Sequence, residues 1–248
     1  KIKIKPINPI ITSKIEEQNN PSILLTLSDK DFDYLDSNKK EFVKTVLPII
    51  INENQNILMI RSFVNELKGK LETFRTLNNN EIRKLNDIAK KYNIKYQNKH
   101  KLDLVDEILS NVDVIPNSIV LAQAAIESGW GKSRFAKEYN ALFGEYTYDD
   151  SEGVIPLERE NGDTHLIKAF SSYSNSVESY FDNINSHYAY EDFRDIRNIM
   201  RKRNNFSNVN LLVNKLSTYA EDENYIKTIR QVIKTNNFAI FDQKTISY

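Results

Sequence analysis

The chain has 248 residues, 40% of them hydrophobic, enough for a substantial core in one large domain or two small ones. Lysine plus arginine and aspartate plus glutamate both number 34, so the net charge is zero and makes no electrostatic case for nucleic acid or for general adhesion to anionic membranes. With no cysteine there are no disulfides, thiol nucleophiles or thiolate metal sites. His100, His165 and His187 show no metal-ligand spacing, and neither a P-loop nor a GxGxxG occurs.

No stretch is long and apolar enough to span a bilayer. The sequence opens at Lys1 rather than Met, which leaves room for a removed leader. Residues 1–30 mix Pro6, Pro9 and Pro21 with isolated isoleucines and read as an extended arm. From Asp36 onward Phe42, Val43, Val46, Leu47, Ile50, Ile57, Leu58, Phe63, Val64 and Leu67 recur at helical spacing, with Pro48 expected to kink or split the helix. Helices are predicted near 80–92 and 102–109. Helix after helix with short links argues for a helical assembly rather than a parallel sheet.

Ser118–Gly131, SIVLAQAAIESGWG, reads as a buried helix that ends on a carboxylate. Asn117 or Ser118 is expected to accept its first amide hydrogen bonds. Ile119 to Ile126 leave almost no polar face, so the helix belongs inside the protein. Gly129 and Gly131 follow to end it and turn the chain. Burial and the negative end of the helix dipole both favour the protonated form of Glu127. A carboxylic acid kept partly protonated near neutral pH suits donation of a proton to a leaving group. The plain structural alternative is a Glu paired with Arg134 or simply solvated.

After a short helix at 133–139, Gly153–Glu160 and Thr164–Phe170 flank Asn161-Gly162, the strongest short hairpin signal, with Pro156 placing the first strand at an edge. Further helices are predicted over 174–190, 192–203, 211–219 and 222–235. The run Arg201-Lys202-Arg203 reads as a solvated helix face. The fold class is therefore mainly α, an α+β chain with one small hairpin lobe.

The stretch AQAAIESGWGKSRFAKEYNALFG, Ala122 to Gly144, closely resembles the bacterial glucosaminidase family that cleaves peptidoglycan, a glycoside hydrolase group of family 73 type. The similarity is closer to its Bax-like branch. It continues through Gly153–Arg159, Thr164-His165, Phe170, Ser176–Tyr190 and Leu216–Ile233, and covers about residues 35–236. It implies a lysozyme-like domain over 113–240 with a β-lobe near 145–170, preceded by a helical region at 31–112 that packs on it. It implies hydrolysis of the β-1,4 bond between N-acetylglucosamine and N-acetylmuramic acid, with Glu127 as general acid. No cofactor is implied. The implied partner is the glycan strand of peptidoglycan, and the implied location is outside the cytoplasm, in the periplasm or cell envelope.

Two carboxylates usually share glycoside hydrolysis. In the family the second, where present, lies in the β-lobe, which makes Glu145, Glu158 and Glu160 candidates. Strand alternation puts Glu158 and Glu160 on one face, and these two rank slightly ahead. A substrate 2-acetamido group acting as nucleophile is the alternative, with a tyrosine to orient it. Tyr219, in LSTYAEDENY, matches a cleft tyrosine of the family. Tyr225 matches another position but falls on the apolar face of the last helix. Trp130 and Phe143 are candidate walls for the sugar, with core packing as the alternative, and Gln123 inside the motif is a candidate substrate contact.

The sequence departs from the family pattern at Ala141, where relatives often have a second asparagine, at Glu145, often glutamine in the Bax-like branch, and at Leu166, where a carboxylate is common. The last departure argues against a catalytic role for that hairpin position. Two other readings compete: a lytic transglycosylase of the same architecture, and a non-catalytic glycan-binding or scaffolding domain. Against the second stands an intact Glu127.

Overall fold

The computed structural model describes residues 32–155, 166–206, 208–220 and 222–244. The arm, and the hairpin stretch that holds Pro156, Glu158, Glu160, Asn161-Gly162 and His165, lie outside the described residues.

Helix α4 (Asn117–Glu127) lies at the centre of the molecule. Every residue from Asn117 to Ala125 is buried, as its all-round apolar sequence requires. Three elements pack around it: α1 (Ser37–Glu72), α9 (Tyr225–Thr235) and a 3-10 segment, Phe238–Lys244, near the C-terminus. α1 also packs on α3 (Lys101–Asn111) and α6 (Tyr173–Ser186), and α2 (Asn79–Lys91) packs on α3. One hydrophobic cluster runs from Phe32 through Val43, Val64 and Val120 to Phe241, so the N-terminal helices and the later ones share a core.

α1 is not split at Pro48: it runs through the proline as one helix of 36 residues. An internal proline costs about 3 kcal/mol in a lost hydrogen bond and a clash. Val46, Leu47, Ile50 and Ile51 on either side of it are all buried, and together they outweigh that cost. Asn54 of the same helix is fully buried and pins the link before α4. Its amide accepts from Ile115 N at 3.0 Å, donates to Ile115 O at 2.8 Å, and donates to Asn117 Oδ1 at 3.0 Å.

The N-terminus of α4 is capped differently from expectation. Neither Asn117 nor Ser118 caps it with its own side chain. Asp242, from the C-terminal 3-10 segment, accepts from Ser118 N at 2.8 Å and from Ser118 Oγ at 2.7 Å, while Asn117 donates to Phe241 O. A carboxylate brought from 124 residues away satisfies the orphan amide and faces the positive end of the helix dipole. Burial still pushes Asp242 up to about 6.

The sheet has three short antiparallel strands in the order β1-β3-β2: β1 (Tyr146–Thr147), β2 (Gly153–Val154) and β3 (Leu166–Lys168). β2 and β3 are the described ends of the expected hairpin, and β1, which carries no readable period in two residues, adds to the other edge of β3. Leu166 is buried in β3.

The remaining helices are α5 (Arg134–Tyr139), α7 (Glu191–Lys202) and α8 (Val209–Val213). α8 is shorter than predicted. Beyond it the chain continues in turns, with Lys215 N bonding Leu212 O, Leu216 N bonding Val213 O and Tyr219 N bonding Leu216 O.

The charge run at Arg201 is also corrected. Lys202 and Arg203 are exposed, but Arg201 turns inward and grips the fully buried Asp113 through Nε at 2.8 Å and a second nitrogen. Arg61 of α1 adds an ion pair to the same carboxylate at 3.3 Å. Arg197, fully buried, donates to the carbonyls of Asp113 and Asn111. Among the described residues, no helix is long and apolar enough to cross a membrane.

Candidate functional site

Glu127 is the last residue of α4 and Tyr225 the first of α9. Where these helices meet, Tyr225 donates its hydroxyl hydrogen to Glu127 Oε1 at 2.6 Å. Burial raises the Glu127 carboxyl above its ordinary range, and the Tyr225 hydrogen bond pulls part of the way back. Arg134 does not pair with it. That guanidinium lies over the rings of Phe135 and Tyr139 and faces Glu138.

Behind the carboxylate lies a chain of buried polar groups. Gln123, four residues before Glu127 and fully buried, donates from Nε2 to the Tyr225 hydroxyl at 3.0 Å and accepts at Oε1 from the Tyr180 hydroxyl at 2.6 Å. The Tyr180 ring stacks on Phe143 at 4.2 Å between centroids. Tyr219 stacks on Tyr225, nearly parallel at 5.8 Å, and donates its hydroxyl to the Phe143 carbonyl at 3.0 Å.

These contacts redistribute the candidates. Gln123 and Phe143 are buried, at 0% and 2% exposure, so neither side chain offers surface to a sugar in this conformation. Tyr225, on the apolar face of its helix, is the tyrosine that bonds the acid, while the single hydroxyl proton of Tyr219 is committed to a carbonyl.

Trp130 belongs to the turn beyond α4. Gly129, Trp130 and Gly131 all take positive φ, a conformation that strains a residue with a Cβ. The indole is held there between Phe42 and Phe238, with Lys39 above the ring. It lines an open depression of about 440 Å³ with Phe42, Lys132, Lys137 and Tyr173, and Glu127 is not part of that lining.

Glu145 is the second described carboxylate at this place. It follows Gly144, where an added Cβ would stand 3.6 Å from Glu127 Oε2. Its Oε2 accepts from Ser179 of α6 at 2.8 Å, and its Oε1 is buried without a partner. Burial pushes this carboxyl up to about 7, against the Ser179 hydrogen bond and the Lys168 charge. Tyr180, Tyr190 and Tyr219 all feel the charge of both Glu145 and Glu127, so one tyrosine wall serves both carboxylates. Glu158 and Glu160 lie outside the described residues. No group of three or more His, Cys, Asp or Glu among the described residues is arranged to hold a metal ion.

Residues 102–238 match a family described as mannosyl-glycoprotein endo-beta-N-acetylglucosaminidase. The chain is 31% identical over 213 residues to protein bax of Escherichia coli K12, which spans 85% of this chain and 74% of that protein. It is 35% identical over 92 residues to peptidoglycan hydrolase FlgJ of Escherichia coli O157:H7, across 33% of this chain and 29% of the relative. The catalytic domain of the autolysin Auto from Listeria monocytogenes superposes with a TM-score of 0.47 at 16% identity, over 84% of this chain and 89% of that one.

Proposed function

The chain belongs to the glucosaminidase family, and from that membership we propose that it is a peptidoglycan hydrolase acting outside the cytoplasm, in the periplasm or cell envelope. It cleaves the β-1,4 bond between N-acetylglucosamine and N-acetylmuramic acid. The observation that carries this reading is Glu127: a carboxyl at the end of a buried helix, raised by burial and oriented by one short hydrogen bond. That is the state a general acid needs before it protonates a glycosidic oxygen.

Glu145 is the described candidate for the second carboxylate. Its unpartnered Oε1 leaves one oxygen open for a base or nucleophile, a role it fills only once it has lost its proton, which burial holds to about pH 7. Glu158 and Glu160 remain proposals for the same role. Where the substrate's acetamido group does this work instead, the half-buried Tyr219 supplies the wall against which it turns, with Tyr225 buried behind it.

The test is a digest of purified peptidoglycan with the wild-type chain and with Glu127→Gln, products being read by mass spectrometry after borohydride reduction. Reducible N-acetylglucosamine ends, lost in the variant, support the proposal. Anhydromuramic ends reassign the chain to transglycosylase chemistry. Binding without cleavage by folded wild-type protein reassigns it to a scaffold.

A further inference from the structure

A neutral amide has one end that can only donate and one that can only accept. Gln123 therefore imposes a direction on the groups it touches. Its Oε1 takes the Tyr180 hydroxyl hydrogen, and its Nε2 gives a hydrogen to the Tyr225 oxygen. Tyr225 has a single hydroxyl hydrogen, and with Gln123 donating to its oxygen that hydrogen goes to Glu127 Oε1. The opposite setting of the amide would aim its NH2 group at Tyr180 and leave that hydroxyl hydrogen without an acceptor in a fully buried place. The arrangement observed uses each of these donors.

The geometry points to Gln123 and Tyr180 as positioning residues that hold Tyr225 as a donor to Oε1, so that Oε2 is the oxygen of Glu127 that carries the transferable proton. This rests on the reading of Glu127 as general acid. Oε2 is also the oxygen beside Gly144, where the missing side chain leaves room. The leaving oxygen then enters next to Gly144 and takes the proton from Oε2. The negative charge left on the carboxylate is met at Oε1 by the Tyr225 hydroxyl, whose donation is strengthened by the amide behind it. Neither Gln123 nor Tyr180 touches the substrate, since both are fully buried.

Two variants isolate the relay: Gln123→Met, which keeps the bulk and removes both polar ends, and Tyr180→Phe, which removes one oxygen and keeps the ring. Two readouts are taken. One is the pH profile of kcat and kcat/KM on peptidoglycan fragments. The other is the carboxyl titration of Glu127 by 13C NMR in protein labelled at glutamate, the signal being identified by its loss in Glu127→Gln.

With the relay, Gln123→Met lowers kcat roughly tenfold, the scale of weakening a hydrogen bond to an ionising group, with KM within about twofold. The alkaline limb of the profile and the Glu127 titration both move to higher pH, and Tyr180→Phe moves them the same way by less. An unmoved titration in both folded variants, or in Tyr180→Phe alone if Gln123→Met does not fold, overturns the relay. If the wild-type chain cleaves nothing, the functional reading fails while the titration still decides the relay.

Discussion

A buried carboxylate and a half-buried one bracket the central helix and are treated in opposite ways. Asp113, just before α4, lies amid arginines. Burial alone would raise it, but the Arg201 hydrogen bonds and the charges of Arg61, Arg197 and Arg201 hold it below its ordinary range. Glu127, at the far end of α4, meets one neutral hydroxyl, and burial raises it. The first carboxylate is committed to its charge and ties α1, the link before α4 and α7 together. The second is pushed toward its neutral form by burial and takes its hydrogen bond at Oε1 from a neutral hydroxyl. A carboxylate that holds a fold is given more cations than it needs, and one that is to donate a proton is given none.

The largest effects should come from cutting each carboxylate. Glu127→Gln should lower hydrolysis by about 10²–10⁴-fold, the range of general acid catalysis, while the protein stays folded; the digest with both proteins measures it. Asp113→Ala should leave activity per folded molecule nearly intact but cost about 3–5 kcal/mol, because Arg197 would remain buried without its counter-charge. Chemical denaturation reads the cost. Burial already pushes Arg197 down to about 9 with Asp113 in place, so the variant withdraws the charge that supports it. An Asp113→Ala protein as stable as wild type would break the contrast. Equal loss of activity and stability in Glu127→Gln would break it from the other side.

A smaller effect is expected at the start of α4. Ser118→Ala removes one of the two groups that Asp242 holds and should cost about 1 kcal/mol, the scale of a lost helix cap, measured as a shift in denaturation midpoint.

The central helix, the sharp turn after it and the carboxylate at its end were legible because they rest on local signals: an apolar run, glycines in close succession, and one glutamate against a hydrophobic background. The motif around Glu127 then carried the family. What the sequence did not disclose depends on partners far away in the chain. Asp242 reads as an ordinary acid near a chain end until the 3-10 segment brings it to Ser118. Arg201 and Lys202 are neighbours in one basic run, and only the rotation of α7 against Asp113 decides that the first is paired and the second solvated. Tyr225 looked like core because its ring is core; its hydroxyl reaches Glu127 only because α9 starts where α4 ends. Gln123 was legible as part of the motif but not as a relay, since its two partners lie 57 and 102 residues away.

The smallest effect separates the two carboxylates by the sign of their pH dependence. Asp113 has a folded pKa below its unfolded value, so its contribution is present above about pH 4 and is lost as pH falls through the folded pKa. Glu127 has a folded pKa above its ordinary 4.5, so the folded state holds that proton more tightly than the unfolded chain does. Its contribution is fully present below the unfolded pKa and is lost as pH rises through the folded one. At neutral pH the ionised carboxylate is therefore a cost, and Glu127→Gln should make the protein more stable there, on the order of 1 kcal/mol or less, about 2–4 °C in Tm at most. Lowering the pH to about 4 should erase the gain, since wild type then carries the proton that the amide imitates. For Asp113→Ala the deficit should instead shrink in acid, as wild type loses the charge that the variant lacks. Thermal melts of the three proteins from pH 2 to pH 8 give both slopes. Parallel slopes would mean that Glu127, like Asp113, is held as a charge, and that the chain has no acid ready to donate.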